Sequence, residues 1–167
     1  MFRSTVWRKN LRPASRTALA RSIFRTLPGV WSLRRETEDA RPGAGSLTGT
    51  VVFIAQPGGA LRYEEQGYLT LGAWRGRAFR RWIYALEGDA LSVRYPDTWA
   101  ELHCFVFAAE PSGETGAQHI HAQHIHICGE DRYDARLELR PDGSLLFAYQ
   151  VTGPAKDYRL HTLLTRA

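Results

Sequence analysis

From Gly29 onward, apolar and polar residues alternate with period two, and no helical period competes with it. The clearest stretch sets Tyr133, Ala135, Leu137 and Leu139 against Arg132, Asp134, Arg136, Glu138 and Arg140. Pro141-Asp142-Gly143 follows, and then Leu145, Phe147, Tyr149 and Val151 fall on one face. Turn residues between two alternating runs predict a β-hairpin. A last strand is predicted from Asp157 to Arg166, with Tyr158, Leu160, Thr162, Leu164 and Arg166 in phase. Upstream, the same pattern predicts strands over 30–36, 46–56, 60–71, 77–86, 90–96, 101–109 and 118–128. Pro57-Gly58-Gly59 and Glu87-Gly88-Asp89 are tight connections, and Glu36–Gly45 and Glu110–Gly116 are longer polar ones. Eight to ten antiparallel strands with short turns and one apolar face describe an up-and-down barrel or a sandwich.

The first residues follow another pattern. Leu19, Ile23 and Leu27 recur every four positions, with Arg21 and Arg25 on the opposite face, and Pro28 ends the predicted helix. This segment changes the meaning of the net charge of +5. Nine basic residues and no acidic one lie within residues 1–35 (Arg3, Arg8, Lys9, Arg12, Arg16, Arg21, Arg25, Arg34, Arg35), which leaves 13 basic and 17 acidic residues for the remainder. An acidic body argues against a nucleic-acid-binding face on it. An acid-free, Arg-rich amphipathic start has the pattern of a mitochondrial presequence. A disordered basic tail or an over-long start are the alternatives, with a cytoplasmic location. The expected division is a leader or tail over 1–26, helical or disordered, and one β domain over 27–167. No apolar run is long enough for a membrane span. Two cysteines, Cys104 and Cys128, are too few for a disulfide scaffold.

Gly29-x-Trp31 opens the first strand, and Arg166 closes the last one in phase with its apolar face. This pairing resembles that of lipocalin-type barrels, in which first and last strands are neighbours and the guanidinium stacks on the indole. Further motifs recur in order: Trp31-x-Leu33-x-Arg35, Leu61-x-Tyr63-x-Glu65-x-Gly67, Ala78-x-Arg80-x-Trp82-x-Tyr84, His126-x-Cys128-x-x-Asp131-x-Tyr133, and Gly153-Pro154-x-Lys156-Asp157-Tyr158. From Leu27 to Arg166 the chain resembles an uncharacterised family of lipocalin-like (calycin) barrel domains of unknown function. At 82 and 84 the aromatic identities are swapped from that family's usual Tyr then Trp. The resemblance implies an all-β antiparallel barrel and no particular activity.

Three groups of residues carry candidate chemistry. In His119-Ile120-His121-Ala122-Gln123-His124-Ile125-His126, each His-x-His pair shares a strand face, a geometry metal sites use. On an unbroken strand, however, His119 and His121 point opposite to His124 and His126. The second group is His126, Cys128, Asp131 and Tyr133: a proton-carrying imidazole with a carboxylate and a phenol nearby, or a turn capped by Asp131 beside a packed Cys128. The third sets Tyr63 and Glu65 inward on one strand and Arg80 and Trp82 on the next, with Glu65 facing Arg80 as a buried ion pair. Polar groups inside so small a barrel serve either a ligand or an internal network. Of the two lysines, Lys156 is the one in the body, within a turn before the last strand, as an anion contact at the mouth. His103 is a lesser contributor.

The leading expectation is non-covalent binding of a small hydrophobic or amphipathic ligand. Trp82, Tyr84, Phe147 and Tyr149 would offer apolar area; Tyr63, Glu65, Arg80, His126 and Tyr133 would offer polar handles. A planar cofactor such as haem is a special case, with His126, His124 or His161 as its ligand. The alternatives are an isomerase- or cyclase-type enzyme using His126 with Asp131 or Glu65, and a structural or assembly protein of mitochondria. No nucleophile motif of the Gly-x-Ser-x-Gly kind is present.

Overall fold

The computed structural model describes residues 13–39, 43–112 and 117–167. The predicted alternation folds into one antiparallel sheet that curls into a nearly closed up-and-down barrel. Helix α1 (Pro13–Thr26) comes first. The strands are β1 (Gly29–Asp39), β2 (Gly45–Ala55), β3 (Leu61–Leu71), β4 (Trp74–Glu87), β5 (Ala90–Arg94) and β6 (Glu101–Val106). They continue as β7 (Ala108–Ser112), β8 (Ala117–Cys128), β9 (Asp131–Leu139), β10 (Leu145–Gly153) and β11 (Lys156–Arg166). The strand order is β6-β5-β4-β3-β2-β1-β11-β10-β9-β8-β7, so the first and last strands are hydrogen-bonded neighbours in the middle of the sheet.

The described residues form eleven strands where the alternation predicts eight to ten. The expected single strand 101–109 divides at Phe107, which is buried. Its first half pairs with β5 and its second half with β8, so one length of chain changes partners to close the barrel. The Glu36–Gly45 connection is also shorter than predicted. Polar Glu36 and Glu38 stay in the ladder opposite His161 and Arg159, and β1 runs on to Asp39. The remainder of that connection (40–42), residues 113–116 and the basic stretch 1–12 lie outside the described residues.

The 145–153 strand pairs with 131–139 in register, Leu145 opposite Leu139 and Val151 opposite Tyr133. The turn between them closes through Arg140 N–H to the Ser144 carbonyl at 2.9 Å. Asp142 Oδ1 accepts both the Ser144 N–H and the Ser144 hydroxyl, and Gly143 supplies the positive φ of 81°. Another tight feature is the facing pair Gly49 and Gly67 on β2 and β3. A Cβ on either would run into the backbone of the strand opposite.

Alternation sends Trp31, Leu33, Val51, Phe53, Leu61, Leu137, Leu145 and Leu164 into the core at one end of the barrel. Trp31 stands opposite Arg166, whose guanidinium carbon lies 3.9 Å from the indole centroid. The same guanidinium donates to the carbonyls of Pro28 and Thr26, and Trp31 Nε1 donates to Leu27 O at 2.9 Å. Replacing Arg166 by Ala is expected to cost about 1–2 kcal/mol from the lost cation–π and charge-assisted contacts. Urea denaturation of both proteins checks this; an unchanged midpoint would show that the guanidinium holds nothing.

Helix α1 touches β4 and β5 and delivers Ala20 and Ile23 to the core cluster, joined by Leu27 just past its end, all 1% exposed or less. Arg21 and Arg25 stay in solvent. Arg34 and Arg35, counted above with the basic leader, belong to β1, and Arg35 points into the barrel. No helix among the described residues is long and apolar enough to cross a membrane.

Candidate functional site

Above the apolar end, the barrel interior becomes polar. Arg35 sits on the inward row of β1 with Trp31 and Leu33, and Glu65 on the inward row of β3 with Leu61 and Tyr63. The Arg35 guanidinium donates to both Glu65 carboxylate oxygens at 2.7 Å and through Nε to Thr162 Oγ1 at 2.7 Å. The Tyr63 hydroxyl donates to Glu65 Oε2 at 2.6 Å. All four side chains are buried, so a bidentate pair with satisfied flanks stands where unpaired charges would be untenable. Burial alone would raise the Glu65 carboxyl. The hydrogen bonds and charge of Arg35, the charge of Arg80 and the Tyr63 bond outweigh it and hold the group below the ordinary carboxylate range.

This corrects one expectation. The guanidinium bonded to Glu65 is Arg35, two strands away, and not Arg80. Arg80 does lie directly across from Glu65, but both carboxylate oxygens are taken. Among the described residues Arg80 has no hydrogen-bond or ion-pair partner, and it lines a cavity instead.

That cavity, about 490 Å3, opens between β4, β6, β8, β10 and β11 and is lined by Arg80, Trp82, His103, His126, Tyr149 and Tyr158 among others. Trp82 is fixed edge-on by Tyr95, with centroids 5.3 Å apart. Burial pushes the Tyr149 hydroxyl up to about 12, against the lowering influence of Arg80 and Arg35. It therefore remains a neutral phenol, able to donate a hydrogen bond.

A histidine group lies where β6 faces β8 without a ladder between them. His103, fully buried, comes from β6; His124 and His126 come from β8. The Nδ1 atoms of His103 and His124 are 3.2 Å apart, so one donates and the other accepts. The His103 ring also lies 5.4 Å from Tyr149 and 6.1 Å from His126, and its Nε2 is buried with no partner. Burial, then the neighbouring His124 and His126, lower its pKa from 6.5 to about 3. A folded value below the unfolded one means that its stability contribution is whole above pH 6.5 and is lost as the pH falls toward 3. His103→Leu is therefore expected to flatten the loss of stability between those limits. Urea midpoints at pH 7 and pH 4 measure it, and an unchanged acid limb would remove His103 from the cause.

At the rim, Lys156 Nζ donates to Asp131 Oδ2 at 2.5 Å and to the Tyr133 hydroxyl at 2.7 Å. These bonds raise the Lys156 ammonium above its ordinary value. Asp131 therefore serves Lys156 and neither orients His126 nor caps its own turn.

Other predicted residues divide clearly. Trp82, His126, Tyr133 and Tyr149 line the cavity with Arg80. Tyr84 and Phe147 fill the core instead, 4% and 7% exposed; Tyr84 packs against Phe53 and Tyr63 with centroids 5.2 and 5.6 Å away. His119 and His121 lie on the outer face, stacked at 5.1 Å, with His119 3.2 Å from Glu138. No group of three or more His, Cys, Asp or Glu poised to hold a metal exists among the described residues. His161 points outward and His124 is engaged by His103, so His126 is the haem-ligand candidate left facing the cavity. Arg35 and Thr162 were readable as inward polar positions from strand parity alone. Parity did not reveal that the two meet Glu65.

A family model described as a family of unknown function, DUF6314, matches residues 27–166. No curated protein matches the sequence. Among solved structures, the barrel is similar to an S-type phycobiliprotein lyase from Guillardia theta, with TM-score 0.54 and 10% identity, over 94% of this chain and 98% of that one. At that identity the likeness is one of fold.

Proposed function

This chain belongs to the DUF6314 family of unknown function, and from that premise we propose that it binds a small, partly apolar molecule non-covalently inside its barrel. The observation that supports this is the cavity of about 490 Å3, in the size range of small-molecule sites, with aromatic walls and a few polar groups. Trp82, Tyr149 and Leu160 supply apolar surface, and Arg80, His126 and Tyr133 the polar contacts. The Arg35–Glu65–Tyr63–Thr162 layer is not part of the cavity lining, and its hydrogen bonds are spent within the protein.

Acid–base catalysis in the same cavity has less to work with. Both carboxylates it would use are held by cations, Glu65 by Arg35 and Asp131 by Lys156, which leaves His126. The similar barrel of known structure belongs to a lyase, but a shared fold does not carry chemistry with it.

The test is titration with the neutral fluorescent probe phenylnaphthylamine, comparing the unaltered protein with Leu160→Trp. Leu160 faces the cavity from β11, and an indole there fills it. Probe binding is expected to weaken by about tenfold or more, equivalent to about 1.4 kcal/mol. Binding unaffected by the filled cavity, in a protein that still folds cooperatively, would refute the proposal.

A further inference from the structure

Two guanidinium groups approach one carboxylate in the barrel's polar layer, and the accounting is unequal. Arg35 places two N–H donors on Glu65 and a third on Thr162. Tyr63 takes a further position on Glu65. Nothing of the carboxylate is left for Arg80, although Arg80 stands in register with it on the adjoining strand. Neighbours on the same row give Arg80 no relief, since Ala78 and Trp82 offer no acceptor. The rim carboxylate Asp131 is bound to Lys156. A half-buried guanidinium with no partner, facing a partly enclosed cavity, is an uncompensated positive charge in a medium where Coulomb interactions are strong.

Tyr149 lines the cavity beside Arg80, and His103 Nε2 is buried and unpartnered. The other guanidinium in the lining, Arg81, is paired with Glu64, and no carboxylate is among the lining residues. Trp82 and Leu160 provide apolar surface beside the charge. Resting on the reading of this cavity as a ligand site, we propose that its ligand is an amphipathic organic anion, with a carboxylate or comparable acidic group held by Arg80 and an aromatic or alicyclic body against Trp82 and Leu160. A planar guanidinium suits that task, because it meets an oxyanion with two parallel donors. The Tyr149 phenol is placed to add a third.

Two probes with the same ring skeleton separate charge from cavity: anilinonaphthalene sulfonate and its neutral counterpart phenylnaphthylamine. With the full chain, the sulfonate is expected to bind about 10- to 100-fold more tightly, as charge-assisted hydrogen bonds imply. Arg80→Gln removes that preference, bringing the two affinities together, while Arg80→Lys keeps part of it. Arg77→Gln, three residues along β4 on the outer face, alters neither probe. Equal affinities for the two probes, or a preference that survives Arg80→Gln, overturn the anion assignment while the cavity reading stands. Failure of both probes to bind overturns both. The comparison within the unaltered protein decides the matter even if an Arg80 variant does not fold.

Discussion

Glu65→Ala is expected to lower the unfolding free energy by about 3–5 kcal/mol, because it leaves the Arg35 guanidinium buried without its counter-ion. Thr162 would remain as a partner for Arg35, but a hydroxyl carries no charge to set against a guanidinium. The Tyr63 hydroxyl would also lose its acceptor. Replacing both members, as Arg35→Met with Glu65→Leu, is expected to recover much of the loss, since an apolar pair of similar volume incurs no such penalty. The pair also sets an acid limit. Glu65 titrates below the ordinary range in the folded protein, so its contribution is complete above the unfolded carboxylate value of about 4.3 and is lost as pH falls through the lower folded value. Urea unfolding of the single and double variants at neutral and acid pH measures both effects. A single variant as stable as the original, or a double variant less stable than the single, would dismiss the pair as a keystone of the interior.

Deleting residues 1–26 is the second large effect. The basic, amphipathic character of this segment suggests something detachable, yet its apolar face is part of the barrel's core. Ile23 and Ala20 have 1% and 0% of their surface exposed, and the Thr26 carbonyl receives the guanidinium that covers Trp31. Ile23→Ala alone is expected to cost about 2–4 kcal/mol by removing buried methyl groups and leaving a cavity. The deletion is expected to cost more than that, and to expose Leu27 as well. Arg21→Ala, on the solvent face of the same helix, is expected to change nothing measurable. Denaturation midpoints of the three proteins decide it. A deletion variant as stable as the full chain would make the helix an ornament on the barrel.

The strands were legible because a sheet with one wet face writes its geometry directly into alternation. The hairpin from Asp131 to Gly153 follows at once from Ala135, Leu137 and Leu139 facing Tyr149, Phe147 and Leu145. The division at Phe107 was not legible. Alternation records which face a residue takes and says nothing about which neighbour its backbone joins. For the interior, parity placed Glu65, Arg80 and Thr162 inward and set Glu65 against Arg80, whereas Arg35 was counted with the basic leader and its hold on Glu65 was not legible. Arg35 stands opposite Leu47, which stands opposite Leu69, whereas Glu65 stands opposite Val51. The ion pair therefore runs diagonally over two strand spacings, past Gly49, where no side chain intervenes. Such a diagonal depends on register and curvature, which a single sequence does not display. Similarly, Tyr84 and Phe147 share their row with true cavity residues, and only depth along the barrel separates filling from lining.

The strand that changes partners at Phe107 bears on how this protein meets other chains. An open sheet presents two outer strands whose free amides and carbonyls invite a foreign strand to add. Here the two outer strands, β6 and β7, are consecutive halves of a single length of chain. The free side of β6 is covered by β8 of the same molecule, with the His103–His124 contact bridging them. Among the described residues, the five of β7 form the outer strand that remains. So short a template gives little purchase for end-to-end sheet growth. The barrel thus gains protection against self-polymerisation without completing its ring of hydrogen bonds.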